Sequence, residues 1–491
     1  MKKLALAVAV PLVLIGAATL YTTTQIESTA RDAVDQANLK LREMSIGAGA
    51  DVRLQLISFD RGLLSSDARY QIDIEVPNDE GNTQQYAVLV QDRLEHGPFP
   101  ISRLSRGQLM PVAAQSHPQL ERTPVTEALF DAASGEAPLM GEVAIGYDGG
   151  QRGELRSAAL DFKVDEGSVQ VAAGSVRFEV AEQGSTVRME GGLPEVKIDL
   201  QHPDSGLPVH LSVLGIGLSA DKHGYASGLG QGPSSVTVDR MEIQAGEQPA
   251  VLIQNASVEE ALSRGERGLD QTVAYRIGEV SAKGQTFRNL ALVFSLRNLE
   301  ETRLKALLDS YKALLESGPS QEDAIVNITA AQQSELQAKA MQLLEHKPTL
   351  ALDEFSFETA NGAARLSLVV DLQGPSAATT PDPMITNLIA ALATDAGIDQ
   401  GLVRDVAGLV VQHHSGDASD PVALQQDADA AADLFSGLAI DSGWFQLEGD
   451  RLTSSLRYAD DKVTLNGRQM SMHDFIGFAL GSAQGAGLLG Q

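Results

Sequence analysis

Alternation of apolar and polar residues with a period of two is the feature that most restricts how this 491-residue chain can fold. In residues 69–76, Tyr70, Ile72, Ile74 and Val76 alternate with charged and polar side chains. Successive side chains of a strand point to opposite faces, so this pattern predicts a half-buried β-strand. Similar segments occupy residues 160–164, 168–171, 175–180, 186–189, 195–200, 235–243, 251–258, 272–280 and 288–296.

Short glycine-containing segments separate these strands, as tight turns require. They predict a meandering antiparallel sheet, and we assign residues 49–300 to one antiparallel β-rich domain. No strict sequence period accompanies the strands, so the pattern does not indicate a repeat family. The predicted turns lie at residues 165–167, 173–175, 182–184, 191–192 and 282–284.

After residue 299 the apolar period becomes helical. Residues 301–346 form a predicted helical segment, with helices over 301–317 and 330–345. Residues 347–373 predict a β-hairpin that turns at Asn361-Gly362. Residues 374–440 are a linker, over 374–383, followed by a helical segment from about 384 to 438. The fold class is therefore α+β, a predominantly antiparallel β-sheet body with amphipathic helical insertions.

The C-terminal segment, residues 441–491, returns to the strand pattern. Strands are predicted near residues 444–447, 452–458 and 462–465. A short helix over residues 473–480 and a glycine-rich tail follow.

Charge and composition exclude several function classes. The chain has 65 Asp and Glu against 37 Lys and Arg, a formal net charge of −28, which repels nucleic-acid phosphates. We therefore expect no nucleic-acid partner. Cysteine is absent, which excludes disulfides, thiolate catalysis and Cys-based metal sites.

No motif predicts a cofactor or a metal. The chain has no phosphate-binding loop, and its glycine-rich tail has no preceding strand that would make it a dinucleotide site. His413-His414, with Asp417 and Asp420, supplies metal-ligand atom types. Adjacent helical residues point about 100° apart, so the two histidines do not converge on one ion. We predict no cofactor, no metal site and no catalytic residue set.

The N-terminus predicts a transmembrane anchor over residues 1–21. Lys2 and Lys3 precede an 18-residue apolar run that ends at Tyr21, which nearly spans a bilayer. The positive-inside rule keeps the lysines in the cytoplasm, so the body is exported to the periplasmic side of a bacterial inner membrane. The alternative is a secretory signal peptide cleaved before Thr19. Residues 22–48 predict a helix that either forms a stalk or packs its apolar face on the body.

Two motifs, about thirty residues apart, carry a resemblance to a known family. The first is an aromatic-x-Arg-Gly segment followed by a Ser-Ser pair, and the second is a His-Gly-Pro turn. Together with the apolar N-terminus, they resemble the YdgA family of uncharacterised bacterial envelope proteins. The resemblance implies a membrane-anchored envelope protein with a domain of unknown function, and no catalytic residue transfers from it. The motif residues are Phe59, Arg61, Gly62, Ser65, Ser66, His96, Gly97, Pro98, Phe99 and Pro100.

These motif residues have structural roles available to them. Gly62 permits a turn where a side chain would clash, and Arg61 offers five donors to carbonyls or a carboxylate. His96 can cap its turn with a ring nitrogen, and either Gly97-Pro98 or Phe99-Pro100 can be cis. The functional alternative makes Arg61 and His96 a ligand site, with Ser65 or Ser66 as the nucleophile.

Three functions compete. The first is a non-enzymatic binding or envelope-maintenance protein whose one-sided apolar sheet holds a lipid or an envelope protein. The second is an envelope hydrolase that uses dispersed residues such as Arg61, Ser65 and His96. The third is an assembly scaffold that self-associates through the helices of residues 301–345 and 384–438, as a homo-oligomer. An apolar groove left open along the sheet would favour the first.

Overall fold

The computed structural model describes Val34, Asn38 and residues 51–77, 83–164, 167–181, 184–202, 205–224, 229–315, 326–374, 388–415 and 421–485. The predicted anchor over residues 1–21 lies outside the described residues, as do most of the predicted stalk and the linker from residue 375 onward. Among the helices that the structure describes, none combines the length and apolarity needed to cross a bilayer.

Antiparallel strands make up most of the described chain, in agreement with the predicted α+β class. The strands are β1 Asp51–Arg61, β2 Ser65–Pro77, β3 Thr83–His96, β4 Ala114–Leu120, β5 Leu139–Ile145, β6 Gln151–Ser157, β7 Leu160–Val164, β8 Gly167–Val171, β9 Gly174–Val180, β10 Thr186–Gln201, β11 Pro208–His223, β12 Gly232–Ala245, β13 Val251–Arg264, β14 Leu269–Ala282, β15 Gln285–Leu299, β16 Thr349–Glu358, β17 Ala363–Leu372, β18 Ile389–Asp399, β19 Gln446–Glu448, β20 Arg451–Ala459, β21 Lys462–Leu465 and β22 Arg468–Ser471.

Helices interrupt the strands at a few places. They are α1 Ile101–Leu104, α2 Glu127–Ala132, α3 Glu301–Leu315, α4 Ala330–Leu344, α5 Gln400–Ser415, α6 Pro421–Asp441 and α7 Met472–Gly485. Helices α3, α4 and α7 confirm the helices predicted from the 3.6-residue apolar period.

The chain divides into two compact units. The first comprises Met1–Gln248 and Lys305–Leu336, and the second comprises Pro249–Leu304 and Gln337–Gln491. The division after Gln248 falls inside the β-rich segment 49–300 that the sequence suggested as one domain.

In the first unit, neighbouring strands in the sheet are mostly neighbours in sequence. Strands β1 to β6 pair in order, β6 pairs with β9, and β9 is followed by β10, β11 and β12. The 16-residue β10 is long enough to pair with β9 along its first half and with β8 along its second. Strand β7 then pairs with β8. The predicted meander is confirmed here.

A closed core lies on one face of strands β1 to β9. Ile72 and Val88 are opposite each other in β2 and β3, and neither exposes any surface. Leu129 and Phe130 of helix α2 are buried in the same cluster. Val34, from the predicted stalk segment, belongs to the same cluster. Each such side chain contributes roughly 1.5–3 kcal/mol on burial, so this region carries much of the unit's stability.

Asn38 protects the backbone of β1. Its side-chain amide accepts a hydrogen bond from the Leu54 N–H at 2.7 Å and donates one to the Leu54 carbonyl at 2.9 Å. Both backbone groups of Leu54 point away from β2, so the amide satisfies a donor and an acceptor at the sheet edge.

The second unit repeats the meander. Strands β13 to β18 pair in order, and β18 pairs with β20, which continues to β21 and β22. The short β19 pairs with the start of β20. The turn after β14 has positive φ at Lys283 and Gly284, the backbone that two-residue hairpin turns favour. The predicted turn at residues 282–284 is therefore confirmed.

Two predictions about local structure are wrong. Gly191 and Gly192 were expected to form a turn between two strands, but they lie inside the continuous strand β10. Residues 389–399 were expected to begin a helical segment, but they form β18, which pairs with β17 on one side and β20 on the other. Cross-strand pairing on both edges outweighs the helix propensity of its four alanines.

The glycine pair in β10 allows neighbouring strands to approach closely. A Cβ built on Gly192 would lie 2.0 Å from the Ile216 carbonyl oxygen, far inside contact distance. The Gly192→Ala variant must therefore move β11 or lose ladder hydrogen bonds. We predict a loss of about 2–3 kcal/mol in the free energy of unfolding, measured by urea denaturation.

Gly437→Ala is the matched control. Gly437 lies in helix α6 with open space around its Cα, so alanine there should be neutral or stabilise by up to about 1 kcal/mol. Equal effects of the two substitutions would contradict the packing explanation.

Candidate functional site

The motif residues lie at one end of the first unit's sheet. Arg61 pairs across the β1–β2 hairpin with Ser66, and Gly62 begins the turn between them. A Cβ on Gly62 would lie 2.3 Å from the Ser65 carbonyl oxygen, which confirms the predicted need for glycine. Phe59 and Ser65 are half-buried on the two strands of this hairpin.

The second motif forms the exit from β3. The Gly97-Pro98 bond is cis, one of the two bonds predicted as candidates. Gly97 donates its N–H to the Ala113 carbonyl at 2.8 Å, and a Cβ on Gly97 would lie 1.8 Å from the Val112 carbonyl oxygen. Pro98 and Phe99 are exposed, whereas Pro100 is buried.

Ser66 and His96 join the two motifs. Ser66 Oγ lies 2.9 Å from His96 Nε2, and Ser66 has no exposed surface. The backbone N–H of His96 also donates to the Leu64 carbonyl at 2.8 Å. The sequence predicts that the His96 ring caps its own turn. The ring instead bonds Ser66 on the neighbouring strand β2, so this prediction is wrong.

Two further expectations for the motif fail. The Arg61 side chain is exposed, and its predicted bonds to carbonyls or a carboxylate are not found among the described residues. No described carboxylate bonds His96, so the Ser66–His96 pair lacks the third group of a hydrolase triad. Because Ser66 is fully buried, a substrate has no access to it. This geometry supports a structural role.

Asp92 is a buried carboxyl on the same sheet face that we did not single out from the sequence. The Ser116 hydroxyl donates to both of its oxygens at 2.9 Å, and the His117 N–H donates at 2.8 Å. Burial raises the pKa of Asp92 to about 6, although these hydrogen bonds oppose the change. Its position two residues before Leu94 in an alternating strand marks it as inward-facing.

A second polar cluster, on the opposite face, holds helix α1. The Glu95 carboxylate accepts hydrogen bonds from the Ser102 N–H and hydroxyl at 2.9 and 2.8 Å. Burial alone would raise the pKa of Glu95, but these bonds hold it below its usual value. Arg106 pairs with Glu142 on the neighbouring strand β5. The loop that follows β3 is therefore fixed to the sheet.

The second unit has a different kind of candidate site, which we call the apolar sheet face. Strand register places its large side chains on one side of β13 to β17. Val258 is opposite Tyr275, and Phe355 is opposite both Leu292 and Leu366. The exposed members, each with 36–45% of its surface accessible, are Val258, Tyr275, Phe294, Leu296, Leu350, Phe355 and Leu366.

The other side of these strands is mixed. It carries the polar side chains of Arg276, Ser356 and Arg365. It also carries Ala274 and Val293, which are cross-strand neighbours and are buried. The sheet is therefore only partly amphipathic in the sense that the period-two pattern predicted. A partly exposed apolar side is a candidate interaction surface.

Helices α5 and α6 cover one end of the apolar sheet face and leave a cavity of about 530 Å³ beneath them. It is open to solvent, since Val406 and Phe435 on its wall are 38% and 52% exposed. Its lining is almost entirely apolar: Phe355, Phe357, Ala364, Arg365, Leu366, Ala396, Ile398, Leu402, Val403, Val406, Ala407, Val410, Ala431, Phe435 and Phe445.

The β16–β17 turn holds α5 above the sheet. Asn361 donates its side-chain N–H to Asp405 of α5 at 2.8 Å. A Cβ on Gly362 would lie 2.7 Å from the Asp399 Cβ, so glycine lets the start of the helix approach. The hairpin predicted at Asn361-Gly362 is confirmed, and its glycine is needed for this close contact.

Small side chains hold α5 against α6. Ala428 and Ala432 are buried, and a Cβ on Gly408 would only just touch Ala428. The helices meet through these small residues, so larger residues such as Val406 and Phe435 face the cavity. The apolar period predicts a helical segment in this region, but no sequence pattern predicts a cavity.

No group of three or more potential metal-ligating side chains converges anywhere in the described ranges. Asp417 and Asp420 lie outside those ranges, as do the side chains of His413 and His414.

Comparison with known proteins identifies the family. Residues 1–473 match the model of a family described as "Bacterial protein of unknown function (DUF945)". The chain belongs to this family. The resemblance to the YdgA family predicted from the sequence is thereby confirmed, and nothing in the comparisons indicates an enzymatic activity.

Curated relatives extend over nearly the whole chain. Protein YdgA of Escherichia coli is 22% identical over 477 residues, covering 93% of this chain and 92% of that protein. The uncharacterized protein YihF of Escherichia coli is 21% identical over 484 residues, which are 94% of this chain and 95% of that protein. An uncharacterized protein of Haemophilus influenzae is 30% identical over 103 residues, 21% of this chain and 27% of that protein. No solved structure matches.

The buried Asp92 predicts a specific dependence of stability on pH. Its folded pKa of about 6 lies above the ordinary value near 3.9, so between those pH values the folded chain holds a proton that the unfolded chain has lost. The free energy of unfolding therefore falls as pH rises through this window, by up to about 3 kcal/mol.

Asp92→Asn removes that titration and keeps the acceptor for Ser116. We expect the variant to match the parent protein near pH 4 and to be more stable by about 2–3 kcal/mol at pH 7, in urea denaturation at each pH. Asp60→Asn, at an exposed site of β1, is the control and should follow the parent protein. A constant difference between Asp92→Asn and the parent protein from pH 4 to 7 would refute the assignment.

Proposed function

We propose that this protein is a non-enzymatic binding protein of the bacterial envelope, whose second unit holds the acyl chain of a lipid on the apolar sheet face. The cavity under α5 and α6 is the observation that carries the proposal. Its volume of about 530 Å³ lies within the range of small-molecule pockets, roughly 300–1,000 Å³.

The chemistry of the lining selects the ligand class. Phe355, Leu366, Val403 and Phe435 offer dispersion contacts and no hydrogen bonds. A sugar or a peptide backbone would lose its hydrogen bonds to water without replacement, at a cost of several kcal/mol. A hydrocarbon chain loses none, and each buried methylene contributes about 0.8 kcal/mol. The polar end of such a lipid lies outside the cavity.

The face beyond the cavity extends the same surface. Phe294, Leu296 and Leu350 continue the apolar side from strand β16 to β15. An acyl chain that entered the cavity beside Phe355 would therefore stay in apolar contact as it left. The first unit presents a similar side on β10 to β12, where Ile198, Leu211 and Ile243 are cross-strand neighbours.

The location that fits this function is the periplasmic side of the inner membrane. Residues 1–21 supply the proposed single-pass anchor, with Lys2 and Lys3 on the cytoplasmic side. Mass spectrometry of the mature chain tests this: we expect an intact N-terminus, whereas a chain that begins at Thr19 would mean cleavage and release. Reporter fusions after residue 48 should be active only outside the cytoplasm.

Self-association is the second candidate. Helix α6 exposes Leu434 and Leu438, one turn apart, with 65% and 55% of their surfaces accessible. Two copies of the chain could bury these leucines against each other. Native mass spectrometry that shows a dimer disrupted by Leu434→Lys would favour this scaffold function.

Filling the cavity should abolish acyl-chain binding. Ala407 lines the cavity from α5, and Ala407→Trp places an indole in the space that the ligand needs. We expect its affinity for a fluorescent fatty-acid analogue, measured by fluorescence titration, to fall by about tenfold or more, at least ~1.4 kcal/mol.

Arg404→Trp is the matched control, because Arg404 lies on the exposed side of the same helix. Its affinity should equal that of the parent protein. Unchanged binding by Ala407→Trp, with the melting temperature preserved, would place the ligand elsewhere. Equal losses in both variants would indicate damage to the helix and not to a site.

A further inference from the structure

The sheet end that carries the two motifs also carries a group of exposed apolar side chains, which we call the loop-end surface. Leu63 and Leu64 come from the β1–β2 turn, and are 97% and 72% exposed. The β3–β4 connection adds Leu109 and Met110, 70% and 74% exposed. Phe99, Ile101 and Leu104 complete the surface.

Hydrogen bonds place the two loops side by side. The Leu64 carbonyl accepts the His96 N–H at 2.8 Å, which joins the first loop to the end of β3. The Pro98 carbonyl accepts the Val112 N–H at 3.0 Å, which closes the second loop on itself. With Glu95 holding Ser102, these bonds fix the loops, so the apolar tips project from a supported base.

The charge of the loops differs from that of the chain. Residues 61–66 and 97–113 contain Arg61, Arg103 and Arg106 and no Asp or Glu, in a protein with a net charge of −28. Arg106 pairs with Glu142, and Arg103 is half-buried and bonds Gln115, so Arg61 is the exposed cation of these loops that has no described carboxylate partner. An anionic surface therefore repels this end of the molecule less than the rest, and Arg61 can contact it directly.

We propose that the loop-end surface docks on an anionic lipid bilayer, with the apolar tips inserted and Arg61 at the headgroups. The apolar side chains project separately from the two loops. A fluid bilayer accepts such side chains, whereas a protein partner would need a matching pocket for each. Burial of the large apolar side chains and contact of a cation with anionic headgroups both favour this docking. This inference is independent of ligand binding in the cavity.

The chain length allows both contacts with one membrane. Leu54, which Asn38 holds, lies seven residues along β1 from Arg61, or roughly 23 Å. Val34 lies thirteen positions after Tyr21, and this length of chain spans at most roughly 45 Å. An anchor that ends at Tyr21 therefore permits the loops to reach the bilayer that holds it.

The absence of cysteine makes a direct test available. Two single-cysteine variants of the full-length chain, Leu64→Cys and Leu109→Cys, are each labelled with an environment-sensitive fluorophore. The protein is reconstituted in phosphatidylcholine vesicles with or without phosphatidylglycerol, and quenching by spin-labelled lipid is measured. Gln84→Cys is the control, because Gln84 is exposed at the other end of β3, about 40 Å from His96.

We expect both loop labels to shift to shorter wavelength and to be quenched several-fold more than the label at residue 84. Adding Arg61→Glu should reduce that quenching in the anionic vesicles and leave it unchanged in phosphatidylcholine alone. Loop labels quenched no more than the control would overturn the proposal. A shift that follows protein concentration without lipid quenching would also overturn it and assign the surface to a second copy. An effect of Arg61→Glu in both vesicles, or in neither, would refute the electrostatic part.

Discussion

The one-sided apolar character of long antiparallel strands is the constraint on which the rest of this structure depends. A strand of 14 to 16 residues with alternating polarity must cover one side or leave it in contact with water. Strands β1 to β9 resolve this by closing a core with helix α2 and with β7. Strands β13 to β17 are covered only in part, by two helices that meet through alanine and glycine. The same pattern therefore yields a sealed core on β1 to β9 and partly exposed apolar sides on β10 to β12 and on β13 to β17.

The polar residues of the motif region are explained by the same alternation. Ser66, Asp92 and His96 fall on inward-facing positions, where their polar atoms need partners. Ser66 bonds His96, and Asp92 takes two donors from β4. These pairs tie β2, β3 and β4 together just behind the loops. The motif that resembles the YdgA family therefore lies at the base of the two loops, where the buried Ser66–His96 contact is what the predicted structural role requires.

Much of this fold could be predicted because strand alternation and turn chemistry are local. The hairpin at Lys283-Gly284 and the helices α3 and α4 follow from residues close together in sequence. Strand β18 could not be predicted, since its alanines favour a helix and only its two neighbouring strands decide otherwise. Gly192 was misassigned for a similar reason, because its small size serves contact with a strand that begins sixteen residues later.

The candidate site was only partly predictable. The apolar sheet face follows from the alternation, but the cavity is built from residues as distant as Phe355 and Phe445, and five strands and helices, β16 to β18, α5 and α6, contribute to it. Asp92 is one acidic residue among 65 in the sequence, and only its burial separates it from the others.

Native mass spectrometry of the detergent-purified full-length chain, combined with lipid extraction, tests the central claim most directly. If the apolar sheet face and its cavity hold an acyl chain, the folded protein should carry the added mass of one lipid, and the extract should contain that lipid in proportion to protein. A bare folded chain, with no acyl lipid in the extract and no uptake of added lipid, would contradict the account.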